Sequence, residues 1–221
     1  MLTYIAALLV CCFRNKASAP LGDSRTAYIK YGNIFAEKGI LVIPFNCYFD
    51  TFIDPNVLKE DSVAGQLVTD VFRCNYNEID NKIDSELKKV QITHDRRDKP
   101  GKQNAYPIGT VIKIEKNGNE YYCVALTDVG DSKENFKSVC DIEKLHIAIV
   151  SLLKYMDKDA GVKNVYMPLL GSGFSRINKP KQIILEYLIS TFKISNISMQ
   201  SKLHIVLVEK ERKEFDLTKR F

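Results

Sequence analysis

The stretch Asn164–Asn178, NVYMPLLGSGFSRIN, changes from an apolar run into a glycine-rich segment within a few residues. The apolar residues 165–167 predict a buried strand, and the abrupt Gly171–Gly173 predicts a loop at its carboxyl end. Glycines let backbone N–H groups approach an anion closely because no Cβ intervenes, and Pro180 then suits the first position of a helix. This order is typical of a phosphate-binding turn at the carboxyl edge of a sheet, although an ordinary strand-to-helix turn fits the same residues.

Length and composition indicate one globular domain. The 221 residues are 45% apolar and 27% charged, which is ordinary for a domain with a sizeable core. The net charge of +5 favours an anionic ligand without demanding nucleic acid. The six cysteines include no CxxC pair and no histidine at ligand spacing, so we expect a reducing compartment, no disulfide framework and no metal site.

The N-terminus differs from the rest of the chain. Leu2–Phe13 is continuously apolar or neutral and is followed by Arg14 and Lys16, but a membrane span needs about 20 residues. Two interpretations stay open: the end of a membrane helix whose earlier part is not in this chain, or an element packed on the domain. Residues 15–24 are small and polar with Pro and Gly, which predicts a linker. We therefore expect residues 1–25 to form this segment and linker, and residues 26–221 to form the domain.

The remaining segments predict alternating strands and helices. Strands are expected over residues 27–31, 39–46, 110–115, 120–127, 165–167 and 203–208, and helices over 62–90 (two, separated near 75–77), 141–156 and 180–192. Residues 93–104 are charged and contain Pro-Gly, so they predict a solvated loop. The alternation in the second half implies a mixed, largely parallel sheet with helices on both faces.

Five segments, in the correct order, resemble the macro domain, a three-layer α/β/α module with a mixed central sheet that binds ADP-ribose and its derivatives. They are Tyr31–Ile34, Leu41–Asn46, Ser62–Gly65, Pro107–Thr110 and Pro168–Ser175. The chain departs from the family's pattern in its longer Cys47–Asp61 segment and in Asn33, where the family usually has Asp. The combination looks most like the macro-domain effectors of bacterial Thoeris anti-phage systems.

This resemblance implies a sensor rather than an enzyme. In such proteins membrane helices precede the macro domain, which senses an ADP-ribose-derived signal made from NAD by a partner TIR-domain protein. We therefore expect a cytoplasmic domain, anchored to the membrane in a longer parent protein, that binds ADP-ribose or an amino-acid conjugate of it. Self-assembly is a further expectation, whereas a catalytic group, a cofactor and a nucleic-acid partner are not expected.

The resemblance also assigns the ligand-binding residues. It places a diphosphate between a helix start at Ser62–Gly65 and the glycine loop, Asn33 near adenine, and Asn46 near the distal ribose, unless Asn46 caps its own turn. The full expected set is Asn33, Ile34, Phe45, Asn46, Ser62, Val63, Ala64, Gly65, Leu170, Gly171, Ser172, Gly173, Phe174, Ser175 and Arg176. Phe174 would stack on the distal ribose and Arg176 would reach an anionic group, unless they are a core aromatic and a surface arginine.

Two other functions stay open as alternatives. An ADP-ribosyl hydrolase would need a general base, for which Asp50 and Asp54 are the candidates. His94, His146 and His204 adjoin none of the motifs, so we expect them to be structural or solvated. A nucleic-acid-binding domain would use the basic Arg96–Lys102 loop, which lacks interleaved aromatic residues.

Overall fold

The fold is built on a sheet of eight strands. The computed structural model describes residues 15–22, 25–93, 99–129, 138–173, 177–195, 197, 199–218 and 221. The strands are β1 (Lys16–Gly22), β2 (Arg25–Tyr31), β3 (Ile40–Asn46), β4 (Val111–Lys116), β5 (Asn119–Val129), β6 (Ser138–Val139), β7 (Asn164–Pro168) and β8 (Lys202–Leu207). Their order is β1-β2-β8-β7-β3-β5-β4, with β6 paired to β5. The inner pairs from β2 to β5 are parallel, whereas β1–β2, β4–β5 and β5–β6 are antiparallel, so the predicted mixed sheet is confirmed.

Helices cover both faces of this sheet and complete three layers. They are α1 (Val63–Gln66, continued by the π-helical turn Leu67–Val71), α2 (Tyr76–Leu87), α3 (Ile142–Asp159) and α4 (Lys181–Ile194). The apolar sides of α3 and α4 share one core with the sheet, and those of α1 and α2 share a second core on the opposite face. Short 3₁₀ helices at Ile34–Ala36 and Glu209–Glu214 follow β2 and β8. The three-layer α/β/α fold is thus confirmed.

Local chemistry explains where these elements begin. Residues Ile40–Ile43 are all buried because β3 is central and covered on both faces. The Ser62 hydroxyl accepts a hydrogen bond from the Gly65 N–H at 3.0 Å and caps α1, as the sequence predicts. Asn117 and Gly118 both adopt positive φ, at 53° and 77°, which is the turn geometry expected between β4 and β5.

The linker predicted over residues 15–24 is wrong for most of that range. Lys16–Gly22 forms β1 at the sheet edge, where it pairs antiparallel with β2. Ala19 and Leu21 are buried against the core shared with α3 and α4. The small polar residues concealed this alternation, and Pro20 is tolerated because an edge strand leaves some N–H groups unpaired.

The solvated loop predicted over residues 93–104 is also wrong in part. Residues 94–98 lie outside the described part of the chain, and Lys99 is buried with only 5% of its surface exposed. Its ammonium donates to Asp50 at 2.7 Å and lies 4.3 Å from the centre of the Tyr48 ring. A buried carboxylate therefore draws this lysine inward, which sequence spacing did not reveal.

The N-terminal apolar segment, Leu2–Phe13, falls outside the described residues. Within the described ranges, every helix is too short or too polar to meet the criteria for a membrane span.

Candidate functional site

A cleft of about 460 Å³ lies where the carboxyl ends of the central strands meet. Residues 44–46 of β3, 126–127 of β5, Pro168 of β7 and 206–207 of β8 all line it. In a sheet of parallel strands, neighbouring connections leave this edge toward opposite faces of the sheet, and a crevice forms between them. The volume lies within the roughly 300–1,000 Å³ of small-molecule pockets.

One wall of the cleft is the beginning of α1. Ser62, Val63 and Gln66 line the cleft, whereas Ala64 and Gly65 are buried behind it. The first turn of a helix leaves N–H groups without intrahelical partners, and those of Val63 and Ala64 find no acceptor among the described residues. Together with the positive end of the helix, this wall favours an anion.

The facing wall is the glycine loop after β7. Residues 169–173 line the cleft, with Leu170 buried and Gly173 exposed. Gly171 has a φ of +84°, a backbone conformation that favours glycine, and a Cβ there would lie 2.8 Å from Ile177 Cδ1 at the end of a side chain. The Ser172 hydroxyl donates to the Leu169 carbonyl at 2.7 Å and holds the turn. Phe174, Ser175 and Arg176 lie outside the described residues.

Asn46 lies in the cleft wall, but its side chain serves the adjoining turn. Its Oδ1 accepts hydrogen bonds from the N–H groups of Tyr48 at 3.1 Å and Asp50 at 3.3 Å, and its Nδ2 donates to Asp50 at 2.9 Å. The turn-capping interpretation of Asn46 therefore describes its geometry here. Phe45, which precedes it, is buried, lines the cleft and stacks on Phe49 with ring centres 5.8 Å apart.

Four of the predicted residues do not reach the cleft wall. Asn33 is exposed at the end of β2, and its Oδ1 accepts from the Phe35 N–H at 2.9 Å, while Ile34 packs in the core beneath α1. Ala64 is buried, and a Cβ on Gly65 would lie 2.1 Å from the Lys59 carbonyl oxygen. Gly65 thus permits close approach of two backbone segments.

A third wall is formed by the irregular segment between β3 and α1, which belongs to the Cys47–Asp61 segment where the chain departs from the family's pattern. Residues 55–59 and Asp61 line the cleft there, opposite Thr127 and Ser138 from the β5 side. Thr127 has a detectable signal, because it lies near the carboxyl end of a strand parallel to β3, where it pairs with Asn46, and such ends share one sheet edge. The irregular segment has no periodic pattern from which its exposure to the cleft follows.

Sequence reasoning missed charged residues at the mouth of the cleft. Lys181 begins α4, and Lys210 and Glu211 belong to the 3₁₀ helix after β8; all three line the cleft. The Lys181 ammonium contacts Glu211 and Glu214 at 2.8 Å each. Burial lowers the pKa of Lys181, but hydrogen bonds to these two carboxylates outweigh that effect, so the pKa is raised above its ordinary value.

The candidate bases for hydrolysis, Asp50 and Asp54, are not among the described residues that line the cleft. Asp50 is 1% exposed, and its oxygens accept from Asn46, from Lys99 and from the Lys102 N–H at 2.7 Å. Asp54 accepts from the Asn56 N–H at 2.7 Å and stabilises a local turn. Among the described residues of the cleft wall, the carboxylates are Asp61 and Glu211.

The histidines and the basic loop also have other surroundings. His146 lies on α3 and contacts the Tyr187 hydroxyl at 2.9 Å, whereas His204 stacks between Tyr28 and Tyr166 on the sheet. His94, Arg96 and Arg97 lie outside the described residues. Lys102 contacts the carboxylates of α2, at 3.0 Å from Asp80 and 2.7 Å from Asp84.

Comparison with known proteins places this cleft in context. The family model described as "Thoeris protein ThsA, Macro domain" matches residues 28–208. A relative from Bacillus amyloliquefaciens (strain Y2), "Thoeris protein ThsA", is 26% identical over 220 residues, covering 94% of this chain and 70% of the relative.

Solved structures show the same fold at low sequence identity. The Oceanobacillus iheyensis macrodomain with MES bound aligns with a TM-score of 0.56 at 14% identity, over 90% of this chain and 92% of that one. A point mutant of the same macrodomain, solved with ADPR, aligns with a TM-score of 0.53 at 13% identity, over 90% of this chain and 94% of that one.

Proposed function

Because the chain belongs to the family of Thoeris protein ThsA macro domains, we propose that its cleft binds an ADP-ribose-derived nucleotide and that the protein acts as a sensor. The observation that carries the proposal is the position of two amide-rich walls, Ser62–Val63 and Leu170–Gly173, on one cleft. A diphosphate between them would accept hydrogen bonds from both. A related macrodomain with ADPR supports this choice of ligand.

The wider role follows from the same family. The signal would be ADP-ribose or an amino-acid conjugate of it, made from NAD by a TIR-domain partner. Binding would act through the N-terminal segment, Leu2–Phe13, on a membrane-linked response or on self-assembly. The irregular segment between β3 and α1 would select the group on the distal ribose, because it forms the wall that differs from the family's pattern.

Gly173→Glu tests the diphosphate site. A Cβ at position 173 has no heavy atom within 4 Å, so a side chain can begin there without a clash, and glutamate would place a carboxylate at the glycine loop. We expect affinity for ADP-ribose, measured by calorimetry, to fall by about 100-fold, because two like charges a few ångströms apart repel strongly. Gly173→Ala is the matched control and should retain affinity. Unchanged affinity in Gly173→Glu would show that the ligand does not lie against this loop.

Incubation of the protein with an ADP-ribose conjugate distinguishes sensing from hydrolysis. ADP-ribosyl hydrolase activity would release ADP-ribose from a modified peptide at many turnovers, and Asp61→Asn would abolish that release, since Asp61 lies in the cleft wall. A sensor binds the conjugate and returns it unchanged. Mass spectrometry of the conjugate after incubation separates the two outcomes.

A further inference from the structure

The N-terminal end of β1 lies at the same edge of the sheet as the cleft. β1 runs antiparallel to β2, and Lys16 pairs with Lys30 near the carboxyl end of β2. β2 is parallel to β8, whose own carboxyl end lines the cleft. The N-terminal end of β1 therefore lies on the cleft's edge of the sheet, separated from β8 by β2.

A single 3₁₀ helix, Glu209–Glu214, contacts both the cleft and this N-terminal end. Its Lys210 and Glu211 line the cleft. On its other side the Arg212 guanidinium donates to Asn15 Oδ1 and lies 4.3 Å from the centre of the Tyr31 ring. Neighbouring residues of one short helix thus contact the ligand site and the start of β1.

Ion pairs fasten this helix to the cleft wall. Lys181 holds Glu211 and Glu214 together, and the Lys181 and Glu211 side chains are each 20% exposed. An anion entering the cleft would compete for the Lys181 ammonium and would repel the Glu211 carboxylate. Both effects favour separation of Lys181 from Glu211, and such charge interactions are stronger at partly buried sites than in bulk water.

We propose that Lys181 is an anion-binding residue of the cleft and that its ion pairs with Glu211 and Glu214 form a latch. An anionic ligand breaks these ion pairs, and Arg212 transmits the resulting change to the start of β1. This inference rests on the proposed function for its ligand but adds the route by which binding reaches the N-terminal segment. A ligand shifts such an equilibrium only through contacts that differ between the two states, and Lys181 supplies that difference because it exchanges one anionic partner for another.

Hydrogen–deuterium exchange on the whole chain, with and without ADP-ribose, tests the latch. In the wild type we expect ADP-ribose to change exchange rates in peptides covering residues 209–216 and 15–22, by about threefold or more. In Arg212→Ala and in Asn15→Ala the change at 209–216 should persist, while the change at 15–22 is lost. Lys213→Ala, which alters the exposed neighbour of Arg212, is the matched control and should behave as the wild type.

Calorimetry on the same samples separates the two proposals. Binding of ADP-ribose without any change at residues 15–22 in the wild type overturns the latch and leaves the proposed function intact. A change at 15–22 that survives in both Arg212→Ala and Asn15→Ala overturns the route through Arg212. If ADP-ribose does not bind the wild type, the proposed function fails and the latch fails with it. Lys181→Gln should weaken binding by about tenfold, and unchanged affinity would exclude Lys181 as an anion-binding residue.

Discussion

Gly65 is a position where two physical effects predict opposite signs for one substitution. Replacing glycine by alanine inside a helix ordinarily stabilises a protein by about 1 kcal/mol, because glycine loses more backbone entropy on folding. Here a Cβ at position 65 would lie 2.1 Å from the Lys59 carbonyl oxygen and 2.6 Å from that of Glu60, and contacts under 3.0 Å are essentially never observed. Both neighbours are backbone atoms, so no side-chain rotation relieves the contact.

The expected size of the effect follows from this geometry. Forcing an extra carbon into a packed site costs about 1–3 kcal/mol, and an immovable backbone neighbour places Gly65→Ala toward the upper end. After subtraction of the gain in helix propensity, we expect a net destabilisation of about 2 kcal/mol. Because Lys59 lines the cleft, the displaced backbone should also weaken ligand binding.

Urea unfolding provides the measurement for Gly65→Ala. The midpoint should fall while the slope against urea stays constant, because the surface exposed on unfolding is the same. Gly173→Ala is the control, since its Cβ meets open space, and its free energy of unfolding should stay within about 0.5 kcal/mol of the wild type. A Gly65→Ala variant as stable as the wild type, or more so, would show that Lys59–Glu60 does not press against the helix as described.

Two further substitutions probe the buried charge and the stacked histidine. Asp50→Ala leaves the Lys99 ammonium buried without its carboxylate, so unfolding in urea should show a loss of about 3–5 kcal/mol, against about 1 kcal/mol or less for Lys102→Ala; equal losses would contradict the assigned pairing. Burial lowers the pKa of His204 below its ordinary 6.5, and the nearby Lys30 ammonium lowers it further. The unfolded chain therefore takes up its proton first, and the free energy of unfolding should decrease as the pH falls below about 6.5. His204→Phe keeps a ring between the two tyrosines and should reduce this slope, whereas an unchanged slope would assign the pH dependence to another group.

The sequence predicted those elements whose pattern is local and strong. The central strand β3 is a continuous apolar run, and α3 presents its apolar residues at helical spacing. The glycine loop after β7 was identified because Gly171 and Gly173 break an apolar run abruptly. In each case the residues that determine the element lie within one short stretch of sequence.

The remaining features depend on residues that are distant in sequence. β1 is a strand because the alternating side chains of Ala19 and Leu21 pack into a core shared with α3 and α4, more than a hundred residues away. Lys99 is buried because Asp50, at a sequence separation of 49, accepts from it. The 3₁₀ helix Glu209–Glu214 looks like a charged tail until Lys181 is placed beside it. The composition of all three segments predicts solvent exposure, whereas their tertiary contacts bury some of these side chains wholly or in part.

The same dependence explains why the path of the wall between β3 and α1 could not be predicted. Residues 55–59 lie outside the regular helices and strands, so the side chains that pack behind them determine their path. Gly101, with a φ of +83°, lies against that back side, since a Cβ there would approach Asp50 Oδ1 at 2.4 Å and Val57 Cγ1 at 3.3 Å. Val57 itself lines the cleft. The buried Asp50–Lys99 pair thus lies behind this wall, and removal of one partner would leave an uncompensated buried charge there. Changes in this pair should therefore alter the shape of the cleft, and with it the choice of ligand, before they alter the two amide-rich walls.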